Sequence, residues 1–140
     1  MKISDYQILI KEWLYKCFDK EICESKPERN HRFLEEALEL VQSCDISKEE
    51  CLRIIDYVYE RPKGETFQEV GGVITTLAAF CSSYGIDLEN SAKIELDRIN
   101  SKIEKIREKQ KNKPDFKNNG MIGQTNHKPA ISMNGPYNGR

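Results

Sequence analysis

Histidine is almost missing from this chain: there are two, His31 and His127, too few for the ligand sets of zinc fingers or His-rich metallohydrolases. The five cysteines, Cys17, Cys23, Cys44, Cys51 and Cys81, are odd in number and contain no Cys-x-x-Cys pair. They read as small reduced core residues and not as a disulfide frame or a zinc site. No apolar stretch approaches the ~18–20 residues that cross a bilayer. The start, Met1, Lys2, Ile3, Ser4 and Asp5, turns polar too early for a secretory signal, which predicts a cytoplasmic protein without a membrane partner. An excess of one charge is lacking too. With 22 Lys+Arg against 23 Asp+Glu the net charge is −1, so the basic footprint of a nucleic-acid binder is absent. The balance is segregated: Lys113, Lys117, Lys128 and Arg140 against Asp115 leave residues 113–140 at +3 and residues 1–112 at −4.

What is present is helical periodicity. No run of five or more residues alternates as a half-buried strand should, and the expected class is all-α, a bundle of about five helices in residues 1–112. Ser4 with Gln7 is a candidate capping box for a first helix reaching about Asp19, with Tyr6, Leu9, Ile10, Trp13, Leu14, Cys17 and Phe18 as its apolar stripe. Ser25, Pro27 and Glu28 start a second helix through about Ser43. Ser47 and Glu50 start a third through about Glu60. Arg61, Pro62, Lys63 and Gly64 break the chain before Thr66 opens a fourth. Between Val70 and Cys81 that helix has no charged side chain, the pattern of a helix central to a bundle or a subunit interface. Gly71 and Gly72 within it each cost about 1 kcal/mol relative to Ala, so another helix or a ligand is expected to approach closely there. Gly85 ends it, and Asp87 caps a long fifth helix. Residues 113–140, with three prolines, four glycines and five asparagines, have the composition of a disordered tail.

The chemistry-bearing stretch runs from Arg32 to Leu40. Glu36 and Glu39 are three residues apart and Glu35 and Glu39 four apart, so the three carboxylates share one arc of the helix, opposite Phe33, Leu34, Ala37, Leu38, Leu40 and Val41. Like charges this close repel unless a cation lies between them, and a hard divalent ion requires such an oxygen-rich set. A solvated helix face has the same pattern. Glu69, by contrast, falls on the helical wheel beside Val73, Leu77 and Phe80, where a bare buried carboxylate is too costly and pairing, protonation or a metal is expected. A capping box between Thr66 and Glu69 is the alternative explanation.

Glu35-Glu36-x-x-Glu39 on one helix, followed after a further helix by Glu69, resembles the MazG-like, all-α nucleoside triphosphate pyrophosphohydrolases, over most of the body from the Trp13 helix to Asn100 and Lys102. The resemblance implies hydrolysis of a (d)NTP between its α and β phosphates, giving a (d)NMP and pyrophosphate. It implies Mg2+, or Mn2+, held by Glu36, Glu39 and Glu69, with Glu35 as the catalytic carboxylate that orients or deprotonates water. Asn100 and Lys102 match the family's Asn-x-Lys near the triphosphate, with Lys105 one turn on and Arg98 a further cation. Trp13 and Gln7 could stack on and hydrogen-bond a base, although Trp13 equally suits the core. One position departs from the family: its Glu-x-x-Asp would place an aspartate at 72, where Gly72 stands. A catalytically weak nucleotide-binding module and a helical interaction protein are therefore the alternative functions. A homodimer or larger homo-oligomer is expected, both from the resemblance and because the fourth helix is apolar on too many sides for a chain this short.

Overall fold

A computed structural model describes residues 1–116, and these form seven α-helices with no strand among the described residues: α1 (Ile3–Cys17), α2 (Lys20–Glu24), α3 (Lys26–Gln42), α4 (Lys48–Tyr59), α5 (Thr66–Tyr84), α6 (Leu88–Asn100) and α7 (Ile103–Lys111). The all-α expectation holds. The count rises from about five to seven for two local reasons. Asp19 Oδ1 accepts from the Ile22 N–H at 2.9 Å and caps the short α2. The long fifth helix is split because Asn100 Nδ2 and Ser101 Oγ turn back onto the carbonyls of Leu96 (2.9 Å) and Arg98 (2.7 Å). Such side-chain bonds compete with the helix ladder and here close α6, with α7 restarting at Ile103. No described helix is long and apolar enough to cross a membrane.

The described residues divide into two compact units, one of Met1–His31 with residues 96–116, the other Arg32–Glu95. In the first, α1 packs against α2 and α7. Trp13 is half-buried, edge-on to Phe18 with ring centroids 6.0 Å apart, and its Nε1–H donates to the Ile99 carbonyl at 3.3 Å. The last carbonyls of a helix have no partner of their own, and Arg107 on α7 supplies one for α1: its Nε donates to Cys17 O at 2.9 Å and its Nη2 to Lys16 O. Gln110 donates to Glu28 at 2.9 Å. Cys17 and Cys23 are buried, and burial pushes both thiols up, which keeps them protonated and unreactive. Of the expected tail, Pro114 is buried and Phe116 meets His31 edge-on at 5.8 Å. Residues 117–140 lie outside the described residues.

In the second unit the local signals act where the sequence puts them. Ser25 and Ser47 cap α3 and α4 by accepting from Glu28 N and Glu50 N, at 3.3 and 3.1 Å. Ser25 itself belongs to the first unit, since α3 contributes residues to both. At the other end of α5, Gly85 adopts φ +64 and Ile86 N reaches back to Cys81 O at 2.8 Å, a left-handed C-terminal closure that favours glycine. Two caps differ from expectation. Ser4 lies inside α1, which starts from Lys2, so no Ser4–Gln7 box forms. The N-cap of α5 is Glu65, whose carboxylate accepts from Gln68 N at 2.9 Å, so Thr66 is the first helical residue and the Thr66–Glu69 box does not form.

Candidate functional site

The carboxylates of the acidic motif occupy the second unit. On α3, Glu35 is half-buried and ion-paired with Arg32, Nη1 to Oε2 at 2.5 Å, with only 12% of the Glu35 side chain exposed. The i,i+3 spacing makes this pair local to one turn, so Arg32 fixes the rotamer of the carboxylate. One turn on, Glu39 is half-buried, and Glu36 is exposed. The three therefore lie along one arc of α3, as their spacing requires.

Glu69 stands in the first turn of α5 and is exposed, which corrects the expectation that the apolar arc around it would bury it. That arc is itself open at this end: Val73 is 40% exposed. The carboxylate of Glu69 folds back over Gly64 in the preceding loop, where a Cβ on Gly64 would collide with it. Gly64 is thus the residue type that this conformation of Glu69 requires. Three residues on, Gly72 has open space except for Glu69 Oε2, 4.0 Å from where a Cβ would stand. Position 72 and Glu69 therefore share a face of α5. Gly71 has nothing within 4 Å of its Cβ position, so the close neighbour expected at this glycine pair does not come from the described residues.

Carboxylate oxygens are the right donors for magnesium, a hard cation. Their placement is in pieces: Glu36 and Glu39 on α3, Glu69 on α5, and no group of three or more His, Cys, Asp or Glu side chains close enough to hold an ion among the described residues. The donor chemistry fits a divalent ion, and a carboxylate at position 72 would add to the Glu69 piece.

The remaining site residues of the sequence reading belong to the first unit. Asn100, Lys102 and Lys105, with Ser101, Ile103 and Glu104, line one concavity of about 450 Å³ at the α6–α7 break. The break was not legible in the sequence, and it is what brings these three side chains to one opening. Trp13, the candidate base-stacking residue, has its indole N–H engaged by the Ile99 carbonyl and its ring against Phe18. The sequence had no signal for Ile99 as its partner. Comparison of the chain with protein-family models, curated proteins and solved structures finds no match.

Proposed function

We propose that this chain is a magnesium-dependent nucleoside triphosphate pyrophosphohydrolase that cleaves (d)NTPs to (d)NMP and pyrophosphate and works as a homo-oligomer. The reading is carried by one observation: Glu35-Glu36-x-x-Glu39 lies along one arc of α3, and Glu69 follows at the head of α5 with the motif's missing position, Gly72, open beside it. This is the acidic pattern by which the sequence resembles the MazG-like enzymes. The resemblance assigns the ion, Mg2+ or Mn2+, to Glu36, Glu39 and Glu69, which the described residues do not bring into one group. A bound divalent cation would neutralise charge on the pyrophosphate leaving group and acidify the attacking water. Glu35, held in one rotamer by Arg32, orients that water and takes its proton. The resemblance assigns Asn100, Lys102 and Lys105 to the triphosphate; within the first unit they line a common concavity, whose two lysines suit an anion. Trp13 is left out of the substrate contacts, because its polar edge already serves the first unit.

Gly72 favours a second reading, a nucleotide-binding module with little turnover. The test is Gly72→Asp. Its Cβ would meet only Glu69 Oε2, at 4.0 Å, among the described residues, and magnesium affinity is expected to rise by about tenfold, read by calorimetric titration with and without a non-hydrolysable (d)NTP analogue. Helical content should hold. An unchanged affinity in a folded variant would remove position 72 from the metal site and, with it, the alignment to the acidic motif.

A further inference from the structure

The connection between α4 and α5, residues 60–65, is exposed throughout and tied down at both ends. Arg61 N donates to Val58 O at 3.2 Å, which holds the start of the connection to the last turn of α4. At the other end the Glu65 carboxylate is spent on the α5 cap, and between them the Pro62 ring fixes its own φ. The span carries two cations, Arg61 and Lys63. The guanidinium carbon of Arg61 stands over the ring of Tyr57, one turn back, 4.3 Å from its centroid. A ring face holds a cation without supplying an oxygen acceptor, so the N–H donors of Arg61 remain for phosphate. Lys63 immediately precedes Gly64, the residue over which the Glu69 carboxylate folds, a Cα spacing of about 3.8 Å. Elsewhere in the second unit, Arg32 and Lys93 are ion-paired with Glu35 and Glu89. Among the described residues, Arg61, Lys63 and Glu69 are in no ion pair.

We infer that this connection binds a polyphosphate as its magnesium complex, with Arg61 and Lys63 contacting phosphate oxygens beside Glu69. The inference rests on the metal role given to Glu69 in the proposed function, and it adds two binding residues that the resemblance does not supply. Charge decides the form of the ligand. A bare phosphate chain meets the Glu69 carboxylate as well as the two cations, and the repulsion offsets part of the attraction. A chain that carries its own magnesium presents a cation to Glu69 and oxygens to Arg61 and Lys63, so all three contacts are favourable. Adjacent phosphates of one polyphosphate chelate the ion together, which a single phosphate group does less well, so the ligand class is a nucleoside triphosphate or inorganic polyphosphate and not a monophosphate. Anchoring at both ends means that little ordering of the connection is left for the ligand to impose.

Calorimetric titration of inorganic tripolyphosphate into the full chain, in magnesium and again in a chelator, is the test. Wild type is expected to bind at least tenfold more tightly in magnesium. Arg61→Gln and Lys63→Gln should each weaken binding of the magnesium complex about tenfold, with helical circular dichroism retained because both side chains are exposed. Lys63→Gln alone decides the matter if Arg61→Gln loses helicity. Glu69→Gln should raise affinity in chelator and so shrink the magnesium requirement. Lys48→Gln, an exposed cation at the start of α4, should bind as wild type does. Wild type that binds no tripolyphosphate, or binds it equally with and without magnesium, overturns the site. So does equal binding by wild type, Arg61→Gln and Lys63→Gln, and pyrophosphate release by that wild type would leave the proposed reaction standing. The expected pattern of binding in a protein that releases no pyrophosphate from any (d)NTP would overturn the reaction and uphold the site.

Discussion

Glu36→Ala is expected to reduce pyrophosphate release from a (d)NTP in the presence of magnesium by at least ~100-fold, to the level of the blank. Glu36 projects from the arc of α3 that also carries Glu35 and Glu39, and it is exposed, so its removal opens no cavity and should leave the melting temperature close to that of wild type. The loss would fall on the metal. Taking away a ligand is expected to cost more than the ~10–100-fold typical of groups that merely support ligands, because the ion would carry most of the charge neutralisation on the leaving pyrophosphate. Glu49→Ala, an exposed carboxylate in the first turn of α4, is the matched control and should keep the wild-type rate. Equal activity of Glu36→Ala and wild type would reduce the acidic arc to a solvated helix face.

The second large effect is on stability. Trp13→Ala removes the edge-on contact to Phe18 and leaves the Ile99 carbonyl without its indole donor. Truncating a large aromatic that is packed and hydrogen-bonded costs about 3 kcal/mol. For a unit of this size that is a fall in melting midpoint of roughly 10 °C or more. Trp13→Phe, which keeps the ring and loses the hydrogen bond, should lie between the two. If Trp13 instead served a nucleotide base, Trp13→Ala would leave the midpoint unmoved and raise KM.

How much of this was legible in the sequence depended on how local each signal was. The Ser25 and Ser47 caps, the Gly85 terminator and the uncharged α5 were all readable, because each is decided by a few adjacent residues. The α6–α7 break carries neither proline nor glycine; it comes from Asn100 and Ser101 bonding back to their own helix, so no breaker residue marks it within the expected long fifth helix. Trp13 and Ile99 meet across 86 positions, which no periodicity encodes. For the acidic motif, the arc on α3 followed from 100° per residue, but the exposure of Glu69 did not: the helical wheel gave its neighbours, and Val73, one turn from it, is itself exposed. A wheel reports which residues share a face, and only packing decides whether the face is covered.

The central claim is the reaction, and it is tested most directly by identifying the phosphate product. Purified full-length protein, incubated with magnesium and each of the eight common (d)NTPs, is expected to release pyrophosphate and the matching (d)NMP from at least one of them, with no orthophosphate and no release by Glu36→Ala. Orthophosphate in place of pyrophosphate, or no product from any of the eight, would contradict it.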